Sequence, residues 1–223
     1  MPDIIDCRKI VKIYRDQGLN FKALHGISLT VAEGEFIAIT GPSGCGKSTL
    51  LNILGLLDGP TSGSYALAGK NTAGMSDGEK TALRRGSIGF VFQSFNLFPN
   101  VSVLENIKAP MRYAGLSGAE AARRAAELLR AVGLEDKSKN TPLQISGGQK
   151  QRVCIARALA NDPKIIIADE PTGNLDVKSG ESVMNLFGEI NAKGYTVIMV
   201  THDAALAARA HRTIKMLDGN IIC

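Results

Sequence analysis

The residues Gly41-Pro42-Ser43-Gly44-Cys45-Gly46-Lys47-Ser48-Thr49 combine glycines, a lysine and hydroxyls in an order suited to phosphate chemistry. The glycines allow a turn that points successive N–H groups inward, Lys47 can neutralise the β- and γ-phosphates of a nucleotide, and Ser48 offers its hydroxyl to Mg²⁺. A second pattern of this kind is Ile145-Ser146-Gly147-Gly148-Gln149, which opens a helical stretch over Lys150 to Ala160. Paired glycines let the backbone approach a phosphate closely, while Ser146 either caps the helix or bonds the ligand. Two phosphate sites on one chain imply that the second serves a nucleotide held by another copy.

Three further groups stand where strands should end. Asp169-Glu170 closes the apolar run Ile165-Ile166-Ile167-Ala168. Carboxylates at the tip of a buried strand call for a neighbouring positive charge. Asp169 is therefore expected to hold Mg²⁺, and Glu170 to orient and deprotonate an attacking water. His202, between Thr201 and Asp203, follows the apolar stretch Thr196 to Val200 and is expected to contact the γ-phosphate or Glu170. Gln93, just past Ile88 to Phe92, is placed to reach Mg²⁺ or the water.

The elements that must position these groups alternate along the chain. Strands are expected at Ile4 to Tyr14, Leu24 to Val31 and Phe36 to Thr40, then a helix over Lys47 to Leu57. A strand at Ser64 to Ala68, a polar helix near Asp77 to Arg85 and a strand at Ile88 to Phe92 follow. The apolar spacing next predicts helices at Val103 to Tyr113 and Ala119 to Val132, within a helical insert of about residues 94–142. Beyond it come strand Ile165 to Ala168, helix Lys178 to Ala192, strand Thr196 to Val200, helix Ala204 to Ala210 and a hairpin at Thr213 to Ile222 turning on Asp218-Gly219. Near-continuous apolar strands alternating with helices indicate an α/β fold with a mainly parallel sheet and its chemistry at the strands' carboxyl ends.

Composition narrows the class. With 223 residues, 44% hydrophobic and 21% charged, the chain suits one domain. No apolar stretch approaches the roughly 20 residues of a membrane-spanning helix. Cys7, Cys45, Cys154 and Cys223 lack Cys-x-x-Cys spacing, so free thiols in a reducing compartment are expected. The net charge of +5 is spread out, without the aromatic interleaving of a nucleic-acid surface, so no nucleic-acid partner is expected.

Together these motifs resemble the ATP-binding cassette (ABC) ATPase family over nearly the whole chain. The resemblance makes Gly41 to Thr49 the Walker A loop, Gln93 the Q-loop glutamine, Ile145 to Gln149 the signature motif and Ile165 to Glu170 the Walker B strand with its catalytic glutamate. Gly173-Asn174-Leu175-Asp176 becomes the D-loop, His202 the switch histidine, and Tyr14 the aromatic that stacks on adenine. It implies a P-loop NTPase core, residues 1–93 and 143–223, with an N-terminal antiparallel β portion and the helical subdomain inserted. The runs Leu57 to Gly63, Ile88 to Leu97 and Ala168 to Asp176 look like the MacB/LolD branch, which drives export or extraction of substrates from the membrane. ATP and Mg²⁺ are the implied cofactors. The implied partners are a second, head-to-tail copy whose Ser146, Gly147, Gly148, Gln149 and Asp176 face this chain's ATP, and a separate membrane permease. That arrangement places the chain peripherally at the cytoplasmic face of the inner membrane. A regulatory ATPase of the FtsE kind, signalling across the membrane without transport, is the alternative. Two departures from the family pattern are Ile145 in place of leucine and Cys45 inside the phosphate loop. Cys45, beside Lys47, is expected to react with thiol reagents unless ATP covers it.

Overall fold

The computed structural model describes residues 3–16 and 19–222. In chain order its elements are β1 (Asp3–Asp16), β2 (Leu19–Ala32), β3 (Phe36–Thr40), α1 (Lys47–Leu54), β4 (Ser62–Leu67), β5 (Lys70–Asn71), α2 (Asp77–Ser87) and β6 (Ile88–Phe92). Then come α3 (Val103–Tyr113), α4 (Gly118–Ala131), α5 (Gly147–Ala158), β7 (Ile165–Asp169), α6 (Val177–Ala192), β8 (Thr196–Val200), α7 (Ala204–Ala207), β9 (Arg212–Leu217) and β10 (Asn220–Ile221). They fall into two compact units, residues 1–84 with 194–223, and residues 85–193.

In the first unit β2, β1, β4 and β5 form an antiparallel sheet in that order. A parallel group sets β3 between β8 and β9, with β10 returning as a hairpin partner of β9. Phe36 to Ile39 and all of β8 are buried. Parallel strands covered on both faces read as unbroken apolar runs for this reason. β1 and β2 extend past the expected limits. Their pairing slips between Cys7 and Ile10 and again between Lys12 and Ile13, and Lys9 takes a positive φ of 51°. Such bulges break the two-residue alternation on which a strand is recognised.

Helix α1 buries Leu50, Leu51, Ile53 and Leu54 and stops three residues earlier than the apolar spacing predicts, because Leu56 turns left-handed at φ 55°. Its open carbonyls are satisfied from outside. The buried Tyr65 hydroxyl of β4 donates to the Leu54 carbonyl at 2.7 Å, and Arg84 donates to that of Leu56 at 2.7 Å. The expected helix at Ala204 to Ala210 is a single turn, capped by the Asp203 carboxylate, since the chain must be extended again by Arg212 to enter β9.

In the second unit β6 pairs in parallel with β7. The apolar stripes of α3 and α4 meet α5 in a core that includes Ile107, Met111, Ala125, Leu129 and Val153. α4 starts on a capping box in which Ser117 and Glu120 exchange hydrogen bonds. Tyr65 gives a test of how α1 is seated. Tyr65→Phe removes the donor and leaves the Leu54 carbonyl buried without that partner, so urea unfolding should show a loss of about 1–3 kcal/mol.

Candidate nucleotide site

Helix α1 begins at Gly46 with φ 100° and ψ 3°, and no side chain caps it. A Cβ at Gly46 would lie 2.7 Å from the Ala23 carbonyl oxygen, so only glycine fits both the backbone angle and the approach of β2. An uncapped helix start keeps its first N–H groups and its positive dipole end for an anion. Lys47 Nζ donates to the carbonyls of Gly41 and Pro42, at 2.8 Å each, and so bridges the loop from Gly41 to Lys47. Ser48 is exposed in the first turn of α1, and Pro42, Ser43 and Gly44 are exposed along the loop. Cys45 faces inward, 3% exposed, with Sγ 3.9 Å from Lys47 Nζ. Burial itself shields this thiol, which corrects the expectation that ATP alone would protect it.

Ile39 of β3 pairs with Val200 of β8, so the phosphate loop and His202 leave the same edge of the first unit. His202 is exposed between the buried Thr201 and Asp203, whose backbone N–H donates to Thr201 Oγ1 at 3.1 Å. Tyr14, 38% exposed near the end of β1, hydrogen-bonds through its hydroxyl to Asp58, a residue to which the sequence had assigned no role.

The second unit repeats the arrangement of strand ends. Phe92 of β6 is in register with Asp169 of β7, so Gln93 and Glu170 leave one edge together. Glu170 is left-handed at φ 45°, and its carbonyl accepts from Gly173 N–H at 3.0 Å to close a tight turn. A left-handed glutamate costs about 1–2 kcal/mol, and such outliers gather at functional sites. The Gln93 side chain lies against Gly173, where a Cβ would be only 2.7 Å from Gln93 Nε2. Asn174 fixes the start of the same loop by donating to the Gln93 carbonyl at 3.0 Å.

Ser146 caps α5. Its Oγ accepts from Gln149 N–H at 3.3 Å, and Gln149 Oε1 accepts from Ser146 N–H at 2.9 Å. The two functions that the sequence left open for Ser146 are compatible, because a hydroxyl that accepts in a cap retains its own proton to donate. Gly147 and Gly148 form the first turn, and Gly148 is packed on Ser179 of α6. Asp176 caps α6 by accepting from Ser179 N–H at 3.0 Å, and that pairing holds its carboxyl below the usual range.

One positioning contact was missed entirely. Phe95 and Asn96, both left-handed, are held by Arg157 of α5, which donates to their carbonyls at 2.8 and 2.5 Å, while the Cys154 thiol donates to the Phe95 carbonyl at 3.1 Å. Burial pushes the Cys154 thiol up to about 12 and pulls the Arg157 guanidinium down. The buried Asn106 binds the other end of this loop, at Phe98, Val101 and Ser102. The available signals were an arginine inside the apolar run Val153 to Ala158, and an asparagine on the apolar stripe of α3.

A phosphate-binding loop between a buried parallel strand and an uncapped helix defines a nucleotide-binding α/β protein of the P-loop class. The sequence model of the family described as ABC transporter matches residues 24–173, and the chain belongs to that family. It is 48% identical to the macrolide export ATP-binding/permease protein MacB of Hyphomonas neptunium, over 99% of this chain and 34% of that one. It is 50% identical to an uncharacterized ABC transporter ATP-binding protein of Methanocaldococcus jannaschii, over 98% of both. Among solved structures, the ATP-binding cassette MJ0796 in a dimeric post-hydrolysis state with ADP and Pi superposes with a TM-score of 0.90 at 44% identity, covering 98% of this chain and 97% of that one. The chain thus spans about a third of the MacB relative and nearly all of the other two.

Arg157 supports a prediction. Arg157→Met should cost about 2–4 kcal/mol, from two lost charged hydrogen bonds and a strained loop without its clamp. Chemical denaturation measures the loss, and amide exchange at residues 94–97 should rise before that of α6.

Proposed function

We propose that this chain is the ATP-hydrolysing cassette of an ABC transporter, working as a pair of copies and powering a membrane permease that exports or extracts its substrate. The observation that carries this is the pair of helix starts built for phosphate: α1, which has lysine and no cap, and α5, whose capping hydroxyl keeps a proton to give. Supporting it are the ADP and Pi bound to the dimeric MJ0796 cassette and the export function in the MacB name.

In this proposal ATP lies on Gly41 to Thr49, with its base on Tyr14. A second copy brings Ser146, Gly147, Gly148 and Gln149, with Asp176 beside them, against the same phosphates. Residues suited to a hard cation are present in both units: the Ser48 hydroxyl in the first, the Asp169 carboxylate and Gln93 amide oxygen in the second. Mg²⁺, when bound, would neutralise charge developing on the phosphates. Glu170 takes the proton of the attacking water, Lys47 stabilises the γ-phosphate as it leaves, and His202 donates to it. ATP shared between two copies binds only their closed form and so drives closure, which hydrolysis then reverses.

The permease contact is proposed at the helical insert, residues 94–142. A groove of about 610 Å³ there is lined by Phe98, Pro99, Val101, Ala109 and Tyr113, with Glu105 and Arg112 at its polar side. Phe98 is 54% and Tyr113 79% exposed, an apolar display that fits a protein partner. The MacB relative, of which this chain matches a third, is named as both ATP-binding protein and permease. Among the described residues no helix is long and apolar enough to cross a membrane; in this proposal the permease is a further chain or segment, and the cassette docks on its cytoplasmic face.

Two substitutions test the scheme. Glu170→Gln should lower ATP turnover roughly 10²- to 10⁴-fold while ATP still binds, and it should leave an ATP-dependent dimer visible by light scattering. Turnover at the parent rate would remove Glu170 from the chemistry. Ser146→Asp keeps a capping side chain but sets a negative charge against the shared phosphate. The isolated chain should then bind ATP as tightly as the parent yet neither dimerise nor hydrolyse.

A further inference from the structure

Tyr14 is held on two sides by a cluster that the proposed chemistry does not use. Its hydroxyl donates to Asp58 Oδ2 at 3.0 Å. Lys12, two residues earlier on β1, donates to Asp58 Oδ1 at 2.5 Å and to the Gly59 carbonyl at 2.8 Å. Its ammonium stands 4.8 Å from the centre of the Tyr14 ring. Gly59 N–H completes the set at Asp58 Oδ1, 2.7 Å away. The hydroxyl bond anchors the tip of the ring, and the ammonium lies over one of its faces, so that a planar group has the opposite face on which to stack. The Lys12 side chain is only 12% exposed and that of Asp58 29%, so the pair is poorly screened and its geometry well defined.

Asp58 also ties the ring to the phosphate loop. It lies four residues beyond the end of α1, whose first residue is Lys47. Eight helical residues cover about 12 Å. The segment after α1 is bound to β1 a second time, since Ile13 N–H donates to Thr61 Oγ1 at 2.9 Å and Thr61 N–H to the Val11 carbonyl at 2.8 Å. One short helix therefore carries the phosphate-binding groups at its start and, just past its end, the carboxylate that orients the ring.

We propose that Lys12 and Asp58 are positioning residues for the nucleotide base, orienting Tyr14 so that one ring face meets the base while α1 holds the phosphates. The inference rests on the assignment of Tyr14 as the base platform. Stacking accepts any base, so the cluster sets affinity for nucleosides over bare polyphosphate rather than adenine over guanine.

The test compares Mg-ATP with Mg-tripolyphosphate, which has the phosphates and no base, by calorimetric titration of the isolated chain. Asp58→Asn and Lys12→Met should each weaken ATP roughly 3- to 10-fold, as expected for loss of an oriented aromatic contact, and leave tripolyphosphate unchanged. In turnover the same variants should raise KM and keep kcat. Tyr14→Phe, which retains the ring but not its bond to Asp58, should show the smaller part of the loss and remains usable should either charge variant not fold. Adding Asp58→Asn to Tyr14→Ala should cost nothing further, because the residue acts through the ring. Equal weakening of tripolyphosphate, or full additivity in the double variant, would overturn the positioning role and leave Tyr14 as the platform. ATP affinity unchanged in Tyr14→Ala would remove the platform and the proposal together, whereas an effect of Tyr14→Ala with none of Asp58→Asn or Lys12→Met would overturn the proposal alone.

Discussion

Every other feature of the site depends on how a helix begins. The first turn of an α-helix has N–H groups with no partner inside the helix, and a chain either covers them with a side chain or leaves them for a ligand. Ser102, Ser117 and Asp176 take the first course for α3, α4 and α6. Gly46 takes the second for α1, in a left-handed conformation with the approaching carbonyl of Ala23 excluding any larger residue. Ser146 combines the two, since its oxygen is engaged by Gln149 N–H while its proton is not consumed by that bond. The same physics that closes ordinary helices thus separates structural helix starts from those able to take phosphate.

Parallel pairing then decides which residues can act together. In a parallel pair both strands deliver their following loops to the same edge. The Ile39 to Val200 register delivers the phosphate loop and His202 in one unit, and the Phe92 to Asp169 register delivers Gln93 and Glu170 in the other. A slip of one residue in either pair would push an apolar residue past the buried edge or draw the polar residue that follows into the core. Complete burial of β8 and of Ile165 to Ala168 therefore fixes the placement of the polar residues that follow them.

Much of this was legible in the sequence because the motifs are local. The phosphate loop, the Ile165 to Glu170 run and the paired glycines each carry their strand or helix with them, and the parallel strands betray their burial by lacking polar residues. Contacts between distant segments were not legible. Lys12 and Tyr14 are more than forty residues from Asp58, and nothing in either stretch alone implies the other. Asp58 sits in a breaker-rich turn where an aspartate needs no further explanation. Cys45 was misjudged for a related reason: its neighbours in sequence suggest a reactive thiol, but the path of the loop turns it inward. The lengths of β1 and β2 were underestimated because bulges shift the periodicity on which a strand is recognised.

The loop after Gln93 shows how these constraints combine. Phe95 and Asn96 each occupy a left-handed conformation that a side chain disfavours, at a cost of order 1 kcal/mol or more per residue. A free loop would relax out of it. The two carbonyls are instead turned towards Arg157, whose planar fork meets both at once, one with each terminal nitrogen. The guanidinium is itself pulled down by burial, so it requires those carbonyls as much as they require it. Asn106 binds the far end of the loop and Asn174 its beginning. The strain is therefore supported from α5, α3 and the turn after β7, three elements of one unit. That support makes the segment from Gln93 to Ser102 a fixed part of the second unit despite its lack of regular secondary structure, and it keeps Gln93 and Phe98 in set positions at opposite ends of the same short path.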